Sequence, residues 1–224
     1  MKSFSRWFFN KAIRLGTDIL CRIEMRDFSK VPAHGPFIFA GNHIGSLEVP
    51  LLFVHLQPRK IIGLAKIETW SSKFMGWLFD LWEAIPVRRG EADLDAIRAC
   101  LEVLKSGDIL AIAPEGTRSY NGHLLRGQPG IALLALRSGA PILPFAHWGA
   151  EDFAANLKKL KRTDFHFRVG KPFYLDTKGE KVNGEIRQAM AEEIMVQIAA
   201  LMPEAYRGEY ADFKSPPKYL RFSL

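Results

Sequence analysis

Cysteine is nearly absent. The 224 residues include only Cys21 and Cys100, with no CxxC spacing and no accompanying histidine pattern. This excludes a disulfide framework, gives no sign of a zinc site, and suits a reducing compartment. Long apolar runs are also missing: stretches 36–40, 109–113 and 194–202 fall far short of the roughly 20 residues needed to cross a bilayer, so no membrane span is expected. The amino terminus is basic but has neither the continuous apolar segment nor the small-residue cleavage site of a secretory signal, and it is read as mature protein. No internal repeat or low-complexity segment occurs. Ser46 sits in Gly45-Ser46-Leu47 rather than in a G-x-S-x-G elbow, which argues against a serine-hydrolase nucleophile.

What is present fits one globular domain: 48% hydrophobic and 25% charged residues, enough to bury about 70% of the unfolded surface. The formal charge of +7 suits nucleic acid, anionic lipid or an acidic ligand equally well. No recognised nucleic-acid module accompanies it, so nucleic acid is not an expected partner.

Residues 1–22 read as an amphipathic helix. At 100° per residue, Phe4, Phe8, Phe9, Ala12, Ile13, Leu15, Ile19 and Leu20 share one broad face, and Arg6, Asn10, Lys11, Arg14, Thr17 and Asp18 share the other. Such a helix either lies in a lipid interface, with Phe4, Phe8 and Trp7 at the apolar boundary and Arg14 toward anionic headgroups, or packs on its own domain.

From residue 36 onward, short apolar runs alternate with helical patterns. Strands are expected at 37–40, 61–65, 84–87, 109–113, 142–146 and 165–169, with helices at 91–106 and 183–201. The fold class is therefore α/β, a mostly parallel central sheet flanked by helices, with the amphipathic helix at the amino end. The expected divisions are 1–22 (interface helix), 23–205 (catalytic domain) and 206–224 (a tail whose conformation cannot be read).

Three polar clusters stand at strand ends. His43 follows the first of these strands, and Glu48 five residues later falls in the first turn of a helix that contains Pro50, with Ser46 as its cap. A carboxylate so placed can fix the tautomer of the imidazole while the other ring nitrogen accepts a proton; the plain alternative is a loop histidine beside an unrelated glutamate. Glu115-Gly116-Thr117-Arg118 follows the strand at 109–113, and Arg88-Arg89 follows the strand at 84–87. Both deliver cations to the sheet edge where open α/β folds bind ligands, and the arginine fork matches phosphate. The other histidines, 34, 55, 123, 147 and 166, show no metal-ligand spacing and are read as structural or exposed. The aromatic run Trp70, Phe74, Trp77, with Leu78 and Leu81, sits at helical spacing and is read as core. The basic run 158–162 is read as a solvated loop.

At these residues the chain resembles the glycerophosphate and lysophospholipid acyltransferase superfamily, which includes bacterial 1-acylglycerol-3-phosphate acyltransferase. Asn42-His43 with Glu48 matches its His-x4-Asp block, Val87-Arg88-Arg89 its second block, Pro114–Ser119 its Glu-Gly-Thr-Arg block, and Ala140–Pro144 its fourth. The resemblance implies acyl transfer from acyl-CoA or acyl carrier protein, a co-substrate rather than a cofactor, to the hydroxyl of lysophosphatidate or a related lysophospholipid, without a metal. It casts His43 as general base, Glu48 as its orienting carboxylate, Arg89 and Arg118 as phosphate anchors, and Glu115, Gly116 and Thr117 as shaping the acceptor pocket. It also implies work at the cytoplasmic face of the cell membrane as a peripheral, monotopic protein. Two departures are glutamate for aspartate at 48 and Gln128 where relatives often carry lysine. They leave open a different hydroxyl acceptor, or a catalytically impaired lipid-binding protein on the same fold.

Overall fold

Phe37–Gly41, five consecutive buried residues, forms β2, the middle strand of the sheet in the computed structural model, which describes residues 2–24, 26–45, 47–90, 93–213 and 216–222. Alternation along β2 sends Phe37 and Phe39 to one face and Ile38 and Ala40 to the other, and each face supports its own core. The sheet also contains β1 (Cys21–Glu24), β3 (Ile61–Lys66), β4 (Ile85–Val87), β5 (Ile109–Ile112), β6 (Ile142–Trp148), β7 (Thr163–Val169), β8 (Phe173–Leu175) and β9 (Leu220–Phe222). Its order is β1-β7-β6-β2-β5-β3-β4, with β8 pairing β6 and β9 pairing β8. The pairs β1–β7, β6–β2, β2–β5, β5–β3 and β3–β4 are parallel, whereas β6–β7, β6–β8 and β8–β9 are antiparallel.

The Ile38 face is covered by α4 (Leu94–Lys105), α5 (Gly130–Ser138) and α7 (Gly184–Ala199) through Cys100, Leu104, Leu134, Ile194 and Ile198. The Phe39 face is covered by α1 (Lys2–Leu20), α2 (Glu48–His55) and α3 (Lys73–Leu81), with α6 (Phe153–Lys158) at the edge beside β7. Short segments with alternating burial, such as Thr163–Val169, behave as half-buried strands should.

Two expected boundaries move. The first helix ends at Leu20 rather than 22, because Cys21–Glu24 pairs in parallel with Thr163–His166 as an edge strand. The tail at 206–224 is part of the domain: Tyr210, Tyr219 and Leu220 are buried, and Leu220–Phe222 extends the sheet. The proposed Ser46 cap lies outside the described residues, as does the Phe4 side chain.

The packing of α1 does not follow its polarity. The side toward the protein mixes Ile13 and Leu20 with the buried polar residues Asn10 and Thr17, while Lys11, Arg14 and Asp18 stay exposed; Asn10 Oδ1 accepts from Trp82 Nε1 (3.1 Å), and Arg6 Nε donates to the Leu81 carbonyl (2.9 Å). Trp7, Phe8, Leu15 and Ile19 are each more than half exposed. The two readings of this helix are thus compatible, since it packs on its own domain and still shows an apolar arc outward. The aromatic run is core only in part: Leu78 of α3 packs on the Phe39-side core, whereas Phe74 and Trp77 do not. Phe74 is 65% exposed and Trp77 40%, and Trp77 meets Phe9 of α1 edge to face at 4.7 Å, so their surface continues that of α1.

Candidate active site

The chain leaves β2 at Gly41, where a Cβ would lie 2.2 Å from Cζ of Phe145; only glycine lets the strand end pass so close to that ring. The next residue, Asn42, is clamped to β6. Its Nδ2 donates to the His147 carbonyl (2.8 Å), its Oδ1 accepts from the His147 backbone N–H (2.9 Å), and its own carbonyl accepts from His147 Nε2 (2.9 Å). His147 is fully buried and stacks on Phe165. It is structural, as expected, yet it fixes the backbone immediately before His43. The sequence offered one clue to this pair, a histidine inside an otherwise apolar strand.

His43 is then stitched to the Glu-Gly-Thr-Arg segment. Its backbone N–H donates to Glu115 Oε1 (2.8 Å), its carbonyl accepts from Ser119 N–H (2.9 Å), and the Ile44 carbonyl accepts from Tyr120 N–H (3.0 Å). The imidazole sits between two partners, with Nδ1 bonded to Glu48 Oε1 and Nε2 accepting from Arg118 Nε (3.3 Å). One neutral tautomer satisfies both contacts: the proton is on Nδ1 and the lone pair on Nε2.

Glu48 is 2% exposed. Burial works to raise its pKa, but the hydrogen bond from His43 and the nearby imidazoles of His147 and His43 outweigh it and hold the carboxyl at about 2. Glu48 is therefore a carboxylate at neutral pH, able to stabilise an imidazolium. Glu115 goes the other way. Burial raises it to about 7, with the Glu48 charge adding and the N–H groups of Leu125 and His43 opposing. Its two oxygens serve Leu125 N–H (2.8 Å) and His43 N–H (2.8 Å), so it shapes the site from behind rather than lining it.

Glutamine at 115 must turn its NH2 toward one of these donors, and a loss of about 1–3 kcal/mol is expected. Because the folded pKa is raised, the group's contribution to stability is complete below its ordinary 4.5 and is lost as pH rises through about 7. The gap in melting temperature between wild type and Glu115→Gln, followed by thermal melts across that range, should narrow as pH rises.

Two cavities meet at His43. One of about 250 Å³ is largely apolar and runs between α2 and the sheet, past Val49, Leu52, Leu64, Phe79 and Phe145. The other, of about 230 Å³, is polar, with Lys66, Thr69, Arg89, Thr117 and Arg118 in its wall. Arg89 and Arg118 thus open into the same space, and Gly116 lines the apolar cavity. Gln128 lines a different cavity, with Pro114 and Ile131 on the α4–α5 side. Lys66 and Phe79 were not anticipated. Lys66 is a cation closing β3, and the strand-end logic that singled out Arg89 would have found it. Trp7, Phe8 and Arg14 lie on α1 and line neither cavity. Among the described residues, no group of three His, Cys, Asp or Glu side chains could hold a metal.

This geometry can be set beside known proteins. The family model described as Acyltransferase matches residues 22–148. The 1-acyl-sn-glycerol-3-phosphate acyltransferase of Bacillus subtilis (strain 168) is 26% identical over 194 residues, 87% of this chain and 95% of that protein. The human 1-acyl-sn-glycerol-3-phosphate acyltransferase alpha is 29% identical over 136 residues, 59% of this chain but only 47% of its own. The chain also spans about half the length of two plant relatives, from Brassica napus and Arabidopsis thaliana. In fold, it is similar to the crystal structure of the 1-acyl-sn-glycerophosphate (LPA) acyltransferase PlsC from Thermotoga maritima, with a TM-score of 0.63 over 90% of this chain and 81% of that one at 23% identity. With its His43 block, its Glu-Gly-Thr-Arg block and more than half its length inside the match, the chain belongs to the acyltransferase family.

Proposed function

We propose that the protein transfers a fatty acyl group from acyl-CoA or acyl carrier protein to the free hydroxyl of lysophosphatidate or a closely related lysophospholipid. The observation that carries this reading is the imidazole fixed by Glu48, with its Nε2 lone pair turned to the junction of an apolar groove and a two-arginine pocket. The acyl chain lies in the groove and the acceptor phosphate meets Arg89 and Arg118. The acceptor hydroxyl takes the place at Nε2 that Arg118 Nε holds here, and the guanidinium turns to the phosphate as it arrives.

Nε2 removes the hydroxyl proton as that oxygen attacks the thioester carbonyl carbon, and Glu48 stabilises the imidazolium. Collapse of the tetrahedral intermediate breaks the C–S bond, and the imidazolium returns the proton to the leaving thiolate. No acyl-enzyme is needed.

Acceptor lipid is drawn from a membrane surface. The outward arc of α1, Trp7, Phe8, Leu15 and Ile19 with Arg14 and Lys11 at its edge, supports peripheral attachment, continued by Phe74 and Trp77 of α3. No described helix is long and apolar enough to span a bilayer. We place the protein on the cytoplasmic side, where the thioester donors are made.

The test is a thiol-release assay over a panel of lysophospholipid and neutral glycerolipid acceptors. Alanine at Arg89 or at Arg118 removes charge-assisted hydrogen bonds worth about 1.5–3 kcal/mol, so KM for the phosphate-bearing acceptor should rise about 10- to 150-fold. A neutral monoacylglycerol should show little change. An equal loss for both acceptors would remove the phosphate role, and no turnover with any acceptor would remove the reading itself.

A further inference from the structure

The turn that ends α6 carries an unusual residue. Leu160 N–H donates to the Leu157 carbonyl (3.1 Å) and Lys161 N–H to the Asn156 carbonyl (2.9 Å), the bond pattern of a Schellman stop in which the left-handed position is normally glycine. Here that position is Leu160, at φ 52, where an L-residue is disfavoured. The fold gains nothing in return: Leu160 is 93% exposed, and Leu157 beside it 43%. Lys158, Lys159 and Lys161 surround it, all exposed and none in an ion pair among the described residues.

The turn is also firmly placed. Arg162 bends inward, and its Nη2 donates to the Asp18 carbonyl (2.7 Å) and to the Cys21 carbonyl at the end of α1. Asn156 Nδ2 donates to Thr163 Oγ1 (3.2 Å). These bonds set the turn beside the end of α1 that exposes Leu15 and Ile19. Topology adds orientation. β7 runs antiparallel to β6, which runs parallel to β2, so the turn leading into β7 stands at the same end of the sheet as the exit of β2 that carries His43.

We propose that the turn at 157–162 is a second membrane-contact point, Leu160 entering the acyl region of an anionic leaflet while Lys158, Lys159 and Lys161 meet headgroup phosphates. This rests on the membrane-surface reading given above and assigns a surface that reading does not use. An aliphatic tip ringed by cations matches the boundary between headgroups and acyl chains. A leaflet that reaches this tip also covers Leu15 and Ile19 and lies against the end of the sheet that holds the catalytic dyad, so the contact tilts the site toward its acceptor.

The test uses the full chain with Leu160→Cys labelled by an environment-sensitive fluorophore. Cys21 and Cys100 are each 1% exposed, so the label goes to position 160. A second protein carries the label at Leu15→Cys. Both are mixed with phosphatidylcholine vesicles with and without phosphatidylglycerol, and with an acidic acyl carrier protein. Emission should rise several-fold at both positions on the anionic vesicles and much less on the neutral ones. Leu160→Gly should weaken vesicle binding about tenfold through the lost aliphatic contact while its melting temperature holds or rises. A response at 15 with silence at 160 overturns this proposal and leaves the membrane reading standing; silence at both overturns both. Equal response on neutral vesicles overturns the role of the lysines. A response at 160 to the carrier protein but not to vesicles overturns the proposal in favour of a protein partner.

Discussion

Alanine at position 43 is expected to lower kcat about 10³- to 10⁴-fold in the thiol-release assay with little change in acceptor KM, the signature of a lost proton transfer rather than lost binding. The same substitution should also destabilise the fold. Glu48 is 2% exposed and its Oε1 bonds to the imidazole, so removing His43 leaves a buried carboxylate without its partner, at a cost of about 3–5 kcal/mol near neutral pH. The pH dependence carries a sign that distinguishes the causes. In the wild type, Glu48 sits at about 2, below its ordinary 4.5, so its stabilising contribution is complete above 4.5 and is lost as pH falls toward 2. In His43→Ala the bond that lowers it is gone and burial raises it, so the variant should regain stability on acidification. Denaturant unfolding at neutral pH and at about pH 4 should therefore show the two proteins converging. His43→Gln keeps an amide donor for Glu48 and serves as the folded control: it should recover most of the stability and none of the rate. Turnover near the wild-type level in either variant would end the general-base reading.

The second large effect is expected at Glu48. Glutamine there keeps the shape of the side chain but not the charge that opposes the imidazolium, and kcat should fall about 10²- to 10⁴-fold. Aspartate is the sharper test, because the family pattern has aspartate at this position. Here α2 starts at Glu48 itself, and Oε1 of its carboxylate bonds to Nδ1. Shortening it by one methylene withdraws the oxygen by more than an ångström, and a displacement of that order costs about 10²-fold in a positioned catalytic group. Glu48→Asp should therefore be slower than the wild type. A faster Glu48→Asp enzyme would mean that the glutamate marks an impaired site and would favour the lipid-binding alternative.

The parallel strands were readable because each is a short apolar run, buried throughout in Phe37–Gly41 and at its first two residues in Ile109–Ile112. The placement of His43, Arg89 and Arg118 at strand ends followed from the same runs. The first half of Cys21–Glu24 was absorbed into the helix before it, because four residues at a sheet edge carry no period of their own and their pairing partner is remote. Leu220–Phe222 was hidden likewise in a Pro-rich tail. The orientation of α1 was out of reach for a different reason. A helical wheel sorts residues by polarity, whereas Asn10 is buried for the sake of one hydrogen bond with Trp82 and Phe8 is exposed despite its apolarity. The roles of Asn42 and His147 depend on register between β2 and β6, which no local pattern encodes.

The edge pairing of β1 with β7 joins positions 142 residues apart in the chain. Closing so long a loop adds little to the equilibrium cost, since each doubling of length costs only about 0.6 kcal/mol. It weighs on kinetics, because remote pairings form slowly. The β1 edge is thus expected to close late, once residues 163–169 have found the sheet. The bond of Asn10 to Trp82 spans only 72 residues and uses no part of β7, so α1 can dock before the strand that follows it pairs. In pulsed hydrogen exchange during refolding, the amides of Cys21–Glu24 should gain protection after those of β2, β5 and β6.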